Sequence, residues 1–327
     1  MKIPEKVILT EVGMRDGFQF ETRVVPTQLK IKIINRLAQA GLAFIQIASF
    51  VNPKLVPQMA DADRLLQYLP PESKNQKNKN PVCTALVLNP KGVQRAFEAG
   101  FSHVEISVSA SETHGRKNTG MSLVQAIESG KKMIEMAENF EMSIILSIQC
   151  AFGCVYDGHV PFERVINMVE TFLGSAVNSS IARISLADTT GMATPVMVTD
   201  SIKRLTLQIN EIPTGLHLHD TRGLGLVNLM AALECGVAYF DTSFAGMGGC
   251  PFVKGAAGNI STEDTAWLLK TLGIETNVDI FQIAECSRRM EVFFDKTFPG
   301  KIHKITDYLK TNPLLNKDRH ISTGTGS

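Results

Sequence analysis

The sequence predicts an α/β fold: a (β/α)8 TIM barrel with extra C-terminal helices. Three observations carry this expectation. Eight short runs rich in Ile, Val, Leu or Phe alternate with amphipathic runs along most of the chain. The apolar runs are nearly continuous, as expected of strands buried on both faces. No G-x-G-x-x-G follows the first run, which weighs against an open, doubly wound dinucleotide-binding sheet.

The strands are expected at Val7–Val12, Ala43–Ala48, Val82–Leu88, His103–Val108, Ser143–Ile148, Ala182–Ala187, Gly215–His219 and Ala238–Ser243. Helical periodicity fills the gaps. Thr27–Ala40 stops at Gly41, Lys91–Ala99 at Gly100 and Leu224–Cys235 at Gly236, each with glycine just past the last periodic residue. Ser122–Asn139 lies between the fourth and fifth strands. Pro161–Leu173 and Pro195–Ile209 open on proline, which is tolerated where the backbone donor is unpaired anyway. Residues 70–81 are polar, basic and turn-rich, and read as a solvated loop because the alternation resumes directly after them. The pattern is helical from Asp279 to Leu309. The expected organisation is one barrel domain over 1–310 with a C-terminal helical cover, then a polar, disordered tail over 311–327.

Composition narrows the function. Thirty-three basic and thirty-two acidic residues leave a net charge of +1, without the basic balance a duplex nucleic-acid binder needs. At 44% hydrophobic residues the chain can bury a sizeable core. No run approaches the roughly 18–20 apolar residues of a membrane helix. The first strand-like segment begins at Lys6 and leaves no room for a leader, and the six scattered cysteines read as reduced thiols, so a cytoplasmic location is expected.

In a barrel, chemistry sits at the C-terminal strand ends. Arg15 and Asp16 fall at the end of the first strand, within an Asp-Gly pair that also suits a turn. His217 and His219 are two apart in the seventh strand and point the same way. They are either hydrogen-bonded interior histidines or two ligands of one metal. Only one strand separates the first from the seventh in a closed barrel, so Asp16 can join them. Two imidazoles and a carboxylate suit Mg2+, Mn2+ or Zn2+, and oxygen-rich surroundings favour Mg2+ or Mn2+. Asp188 ends the sixth strand and either caps the following turn or orients a ligand histidine. Cys250 rides in a glycine-dense loop after the eighth strand, which suits a catalytic or substrate-touching role. Asn259, just before a helix start at Ser261, is a loop residue or a further oxygen ligand.

From Lys6 to Gly273 the sequence resembles the 3-hydroxy-3-methylglutaryl-CoA lyase family. The resemblance rests on Glu11-Val-Gly-Met-Arg-Asp-Gly-Phe-Gln, Ser49-Phe-Val-Asn-Pro-Lys-Leu-Val-Pro-Gln-Met, Ser111-Glu112 with Lys117-Asn118, His217-Leu-His-Asp-Thr, and Gly246-Met-Gly-Gly-Cys-Pro with Gly258-Asn259. It implies that Asp16, His217, His219 and Asn259 hold a divalent metal. Arg15 would polarise a thioester carbonyl, His217 would take the alcohol proton and Cys250 would move protons from its loop. Asp188 would support the site, and Lys117 and Asn118 would lie near the coenzyme A of an acyl-CoA substrate. The implied reaction cleaves 3-hydroxy-3-methylglutaryl-CoA to acetyl-CoA and acetoacetate, in a homodimer. Family members usually carry glutamate in the second strand where this chain has Gln46, which loses one negative charge at the active centre. Met14, Phe18 and Phe20 also replace the commoner Pro, Leu and Asn. Gln46 keeps two other readings open: a lyase for citramalyl-CoA or a 3-hydroxy-3-alkylglutaryl-CoA, and an inactive acyl-CoA binding protein.

Overall fold

The computed structural model describes residues 3–69, 81–176, 180–209, 212–249 and 257–311. Strand β1 (Ile8–Glu11) pairs in parallel with β2 (Phe44–Ser49) on one side and with β8 (Tyr239–Thr242) on the other. Between them β3 (Val82–Val87), β4 (His103–Ser109), β5 (Ser143–Gln149), β6 (Ile181–Ala187) and β7 (Thr214–His217) pair in chain order, so eight parallel strands close into a barrel. Closure leaves no free sheet edge. It also places β8 alone between β1 and β7, as the sequence predicts.

The outer helices are α1 (Thr27–Gln39), α2 (Ala62–Leu65), α3 (Pro90–Glu98), α4 (Glu112–Thr119), α5 (Leu123–Asn139), α6 (Phe162–Leu173), α7 (Pro195–Thr206), α8 (Gly225–Glu234) and α9 (Thr262–Thr271). Their starts follow from local chemistry. Asn89, Ser111, Ser122, Thr194 and Ser261 each accept a first-turn backbone N–H, and Ser122 forms a reciprocal capping box with Gln125. Apart from the polar α4, the apolar faces of these helices pack on the outward faces of the strands in one continuous core. The five described cysteines, Cys83, Cys150, Cys154, Cys235 and Cys286, are free and buried. Among the described residues no helix is long and apolar enough to cross a membrane.

Several elements differ from expectation. Helix α4 escapes detection because Glu112–Thr119 is polar throughout and offers no apolar stripe. The pattern from Asp279 to Leu309 is two helices, α10 (Ile280–Phe294) and α11 (Ile302–Thr311). Asp295 breaks it with a left-handed φ of 52°, and Gly300 N–H donates to Ala245 O at 2.8 Å. Helix α10 packs against α1 and α9, with α11 packed on α10. Strand β7 ends at His217, before the expected His219, because the next residues pair with the segment after the eighth strand. Asp220 N–H donates to Gly258 O at 2.8 Å, and Ile260 N–H to Leu218 O at 3.2 Å. The loop over 70–80, the tail over 312–327 and Cys250 lie outside the described residues.

Candidate active site

Directly after β1 the chain makes a single wide helical turn, Gly13–Gly17, with every residue buried. Glu11 pins it. Its carboxyl group accepts from Gly13 N–H at 2.7 Å, Phe244 N–H at 3.1 Å and Thr262 Oγ1 at 2.6 Å. Three elements thus meet at one buried side chain, whose pKa burial pushes up to about 8. The turn delivers Arg15 and Asp16 side by side into the barrel mouth, where the guanidinium donates to Asp16 Oδ1.

There Asp16 meets the two histidines. His217 Nε2 and His219 Nε2 lie 3.1 Å apart, and Asp16 Oδ2 lies 4.0 Å from the first and 3.8 Å from the second. All three residues are buried, and their donor atoms lie within 4.8 Å of one another. Two facing imidazole nitrogens beside a carboxylate oxygen form a donor set that a cation would join. The centre of that triangle is about 2.1 Å from each atom, the bond length of a divalent metal to nitrogen or oxygen. His219 Nδ1 is buried without a hydrogen-bond partner among the described residues.

The charges of this cluster are coupled. Burial acts to raise the Asp16 pKa, yet Arg15 and the two imidazoles outweigh it and hold the carboxyl below its ordinary value. Burial, reinforced by His217 and Arg15, drives His219 down to about 4, so its ring is neutral and free to ligate. For His217 burial acts downward, but the Asp241 hydrogen bond and the Asp16 and Asp241 charges raise it overall. Asp241, on β8, stands 3.3 Å from His217 Nδ1 and so turns Nε2 toward the cluster. Beneath it lies buried Arg183, 3.8 Å from the other Asp241 oxygen.

The remaining expected residues take varied positions. Asn259 reaches Asp16, but through its amide nitrogen, which donates to Asp16 Oδ2 at 2.7 Å and to Met247 O at 3.0 Å. Its Oδ1 is buried without a partner among the described residues, and because the amide nitrogen is the atom facing Asp16, ligation through oxygen requires the amide to turn over. Asp188 takes the capping alternative: Oδ1 accepts from Met192 and Ala193 N–H at 2.6 and 3.0 Å. Its backbone N–H donates to His217 O at 2.8 Å, and burial raises its pKa to about 6. Asn118 borders the central cavity from α4, whereas Lys117 sits outside, its ammonium 4.9 Å from the Tyr156 ring. Gly249, the last described residue before Cys250, borders the same cavity. Gln46 accepts from Arg15 Nε and donates to Glu105 Oε2 at 2.6 Å.

The cavity measures about 340 Å³ at the barrel mouth. Arg15, Asp16, His217 and His219 line one side, with Glu105, Ser107, Ser147 and Gln149 among the residues of the other. Sequence reasoning missed Asp241 and Glu105. Each was marked by an acid standing inside an apolar strand, Tyr239-Phe-Asp-Thr and His103-Val-Glu-Ile.

A buried cation-ready cluster beside an arginine at the C-terminal mouth of a barrel invites comparison with known enzymes. The chain is 35% identical over 301 residues to the hydroxymethylglutaryl-CoA lyase YngG of Bacillus subtilis, covering 92% of this chain and 97% of that one. It is 37% identical over 287 residues to the cytoplasmic 3-hydroxy-3-methylglutaryl-CoA lyase of Danio rerio, covering 87% and 82%. The solved structure of an HMG-CoA lyase from Acinetobacter baumannii, in complex with coenzyme A and 3-methylmalate, superposes with a TM-score of 0.84 at 34% identity, covering 92% and 95%. Residues 6–290 match the HMGL-like family, and with these relatives that match makes the chain a member of this family of lyases.

Proposed function

We propose that the chain cleaves 3-hydroxy-3-methylglutaryl-CoA to acetyl-CoA and acetoacetate by metal-dependent retro-Claisen chemistry. The observation that carries this reading is the convergence of Asp16, His217 and His219 on one point, with Arg15 on the same cavity wall. Asp16, His217 and His219 would hold the cation, with Mg2+ or Mn2+ suited to the oxygen-rich surroundings. When bound, the metal supplies the Lewis acidity that eases loss of the substrate's hydroxyl proton.

The other steps belong to the chain. Arg15 holds the thioester oxygen and stabilises the negative charge that collects there, as a permanent cation in a buried site. His217 would take the proton of the tertiary hydroxyl at Nε2 as that nitrogen gives up its hold on the cation, and Asp241, at Nδ1, stabilises the protonated ring. The bond between C2 and C3 breaks, its electron pair passes into the thioester enolate, and C3–O becomes the ketone of acetoacetate. Cys250 returns a proton to the enolate carbon, giving acetyl-CoA; its loop leaves the cavity rim at Gly249. Asp188 braces the β7 backbone behind His217. Asn118 would meet the coenzyme A from α4 at the cavity edge, with Lys117 beside it on the same helix, outside the cavity. The catalytic unit spans 1–310 and acts as a cytoplasmic homodimer, the latter resting on the resemblance alone.

The test is acetyl-CoA release from 3-hydroxy-3-methylglutaryl-CoA before and after exhaustive chelation. Activity lost on chelation, restored by Mn2+ or Mg2+, and absent in Asp16→Asn and His219→Ala is the expected result. Unchanged turnover in the chelated protein rejects the metal role.

A further inference from the structure

Glutamine at position 46 and an acid at position 105 are two halves of one arrangement. Gln46 Nε2 donates to Glu105 Oε2 at 2.6 Å, while Gln46 Oε1 accepts from Arg15 Nε. A glutamate at 46 would set one carboxylate against another at this distance. The amide turns that repulsion into a hydrogen bond and fixes the Glu105 side chain against the cavity. Besides Asp16, the pocket's acidic group therefore stands on β4, two strands away from β2.

Its surroundings are as unusual. Ser107 follows Glu105 on the same face of β4, and Ser147 is its register partner on β5. Inward positions of such barrels are normally filled by bulky branched residues. Here two small hydroxyls leave room that the cavity occupies, on the wall facing the Asp16–His217–His219 cluster. Glu105 is 5% exposed, Ser107 5% and Ser147 1%. Both serines border the cavity. A buried hydroxyl facing a cavity is satisfied by what enters it. A carboxylate acceptor flanked by two hydroxyls matches a hydrogen-bond donor, and it repels an anionic group.

We propose that Glu105, Ser107 and Ser147 form a substrate-selecting wall that takes a hydroxyl-bearing branch at C3 of the acyl group. This rests on the reading of the chain as an acyl-CoA lyase and narrows its substrate class beyond the methyl-branched parent. A site built to hydrogen-bond a hydroxyl rejects the analogue lacking it far more strongly than an apolar pocket rejects an extra methylene.

The test compares two thioesters of nearly equal size, 3-hydroxy-3-(hydroxymethyl)glutaryl-CoA and 3-hydroxy-3-ethylglutaryl-CoA, by acetyl-CoA release with Mn2+ and by calorimetric binding. The expected kcat/KM favours the hydroxymethyl compound by about tenfold or more, and the ratio collapses toward one in Ser107→Ala/Ser147→Ala and in the isosteric Glu105→Gln. A ratio of one or less in the unaltered protein, or a ratio unmoved by both variants, overturns the wall. If neither thioester nor 3-hydroxy-3-methylglutaryl-CoA releases acetyl-CoA, the lyase reading fails instead. Binding then decides the wall separately, because tighter binding of the hydroxymethyl compound is still required.

Discussion

Oδ2 of Asp241 lies 3.3 Å from Nδ1 of His217, its register partner on the neighbouring strand. The bond decides which imidazole nitrogen meets the cluster, since Nδ1 is committed to the acid and Nε2 is left facing Asp16 and His219. Partners of this kind are worth about 10–100-fold in metal affinity. Asp241→Ala is therefore expected to weaken Mn2+ binding by about that factor, read by titration calorimetry, while circular dichroism stays at the parent spectrum. Unchanged affinity would remove Asp241 from the site's machinery.

Gly13 sets the turn that delivers Arg15 and Asp16. A Cβ there would sit 2.7 Å from Glu11 Oε1 and 2.8 Å from both the Phe244 ring and Ser243 Oγ. None of these atoms can yield freely, because Glu11 is held by three donors and Phe244 is buried. Gly13→Ala should cost about 1–3 kcal/mol by overpacking, measured by denaturant unfolding. It should also weaken metal binding by displacing Asp16. Parent stability in this variant would show that the turn has slack.

His114, on α4 at the cavity edge, is buried, and burial lowers its pKa from 6.5 to about 4. The unfolded chain takes up a proton below pH 6.5, whereas the native ring stays neutral until about pH 4. Stability attached to this ring is complete above pH 6.5 and drains away as the pH falls toward 4. The loss is at most about 3 kcal/mol. His114→Gln should flatten that part of the pH–stability curve, followed by chemical denaturation at several pH values. An equally steep acid decline in the variant would assign it to other groups.

The sequence made the barrel legible because strands buried on both faces leave a simple trace: apolar runs separated by amphipathic ones with glycine stops. It also exposed Asp16, His217 and His219, since polar residues at strand ends stand out against such runs. Legibility failed where the signal is not periodic. Helix α4 has no apolar face, and the break at Asp295 depends on Gly300 docking to Ala245. The chain order likewise does not say that residues 258–260 pair with residues 218–220 just past β7, which is what brings Asn259 onto Asp16.

Glu105 illustrates the division most clearly. The sequence by itself determined that an acid interrupts an apolar strand and that glutamine stands in the second strand. Only the closed barrel decided that these two side chains touch, with Arg15 on the far side of the amide. The physical reason is that periodicity records which way a side chain points along its own element. Which inward-pointing groups meet across the barrel is set by strand register and closure, and no local pattern encodes either.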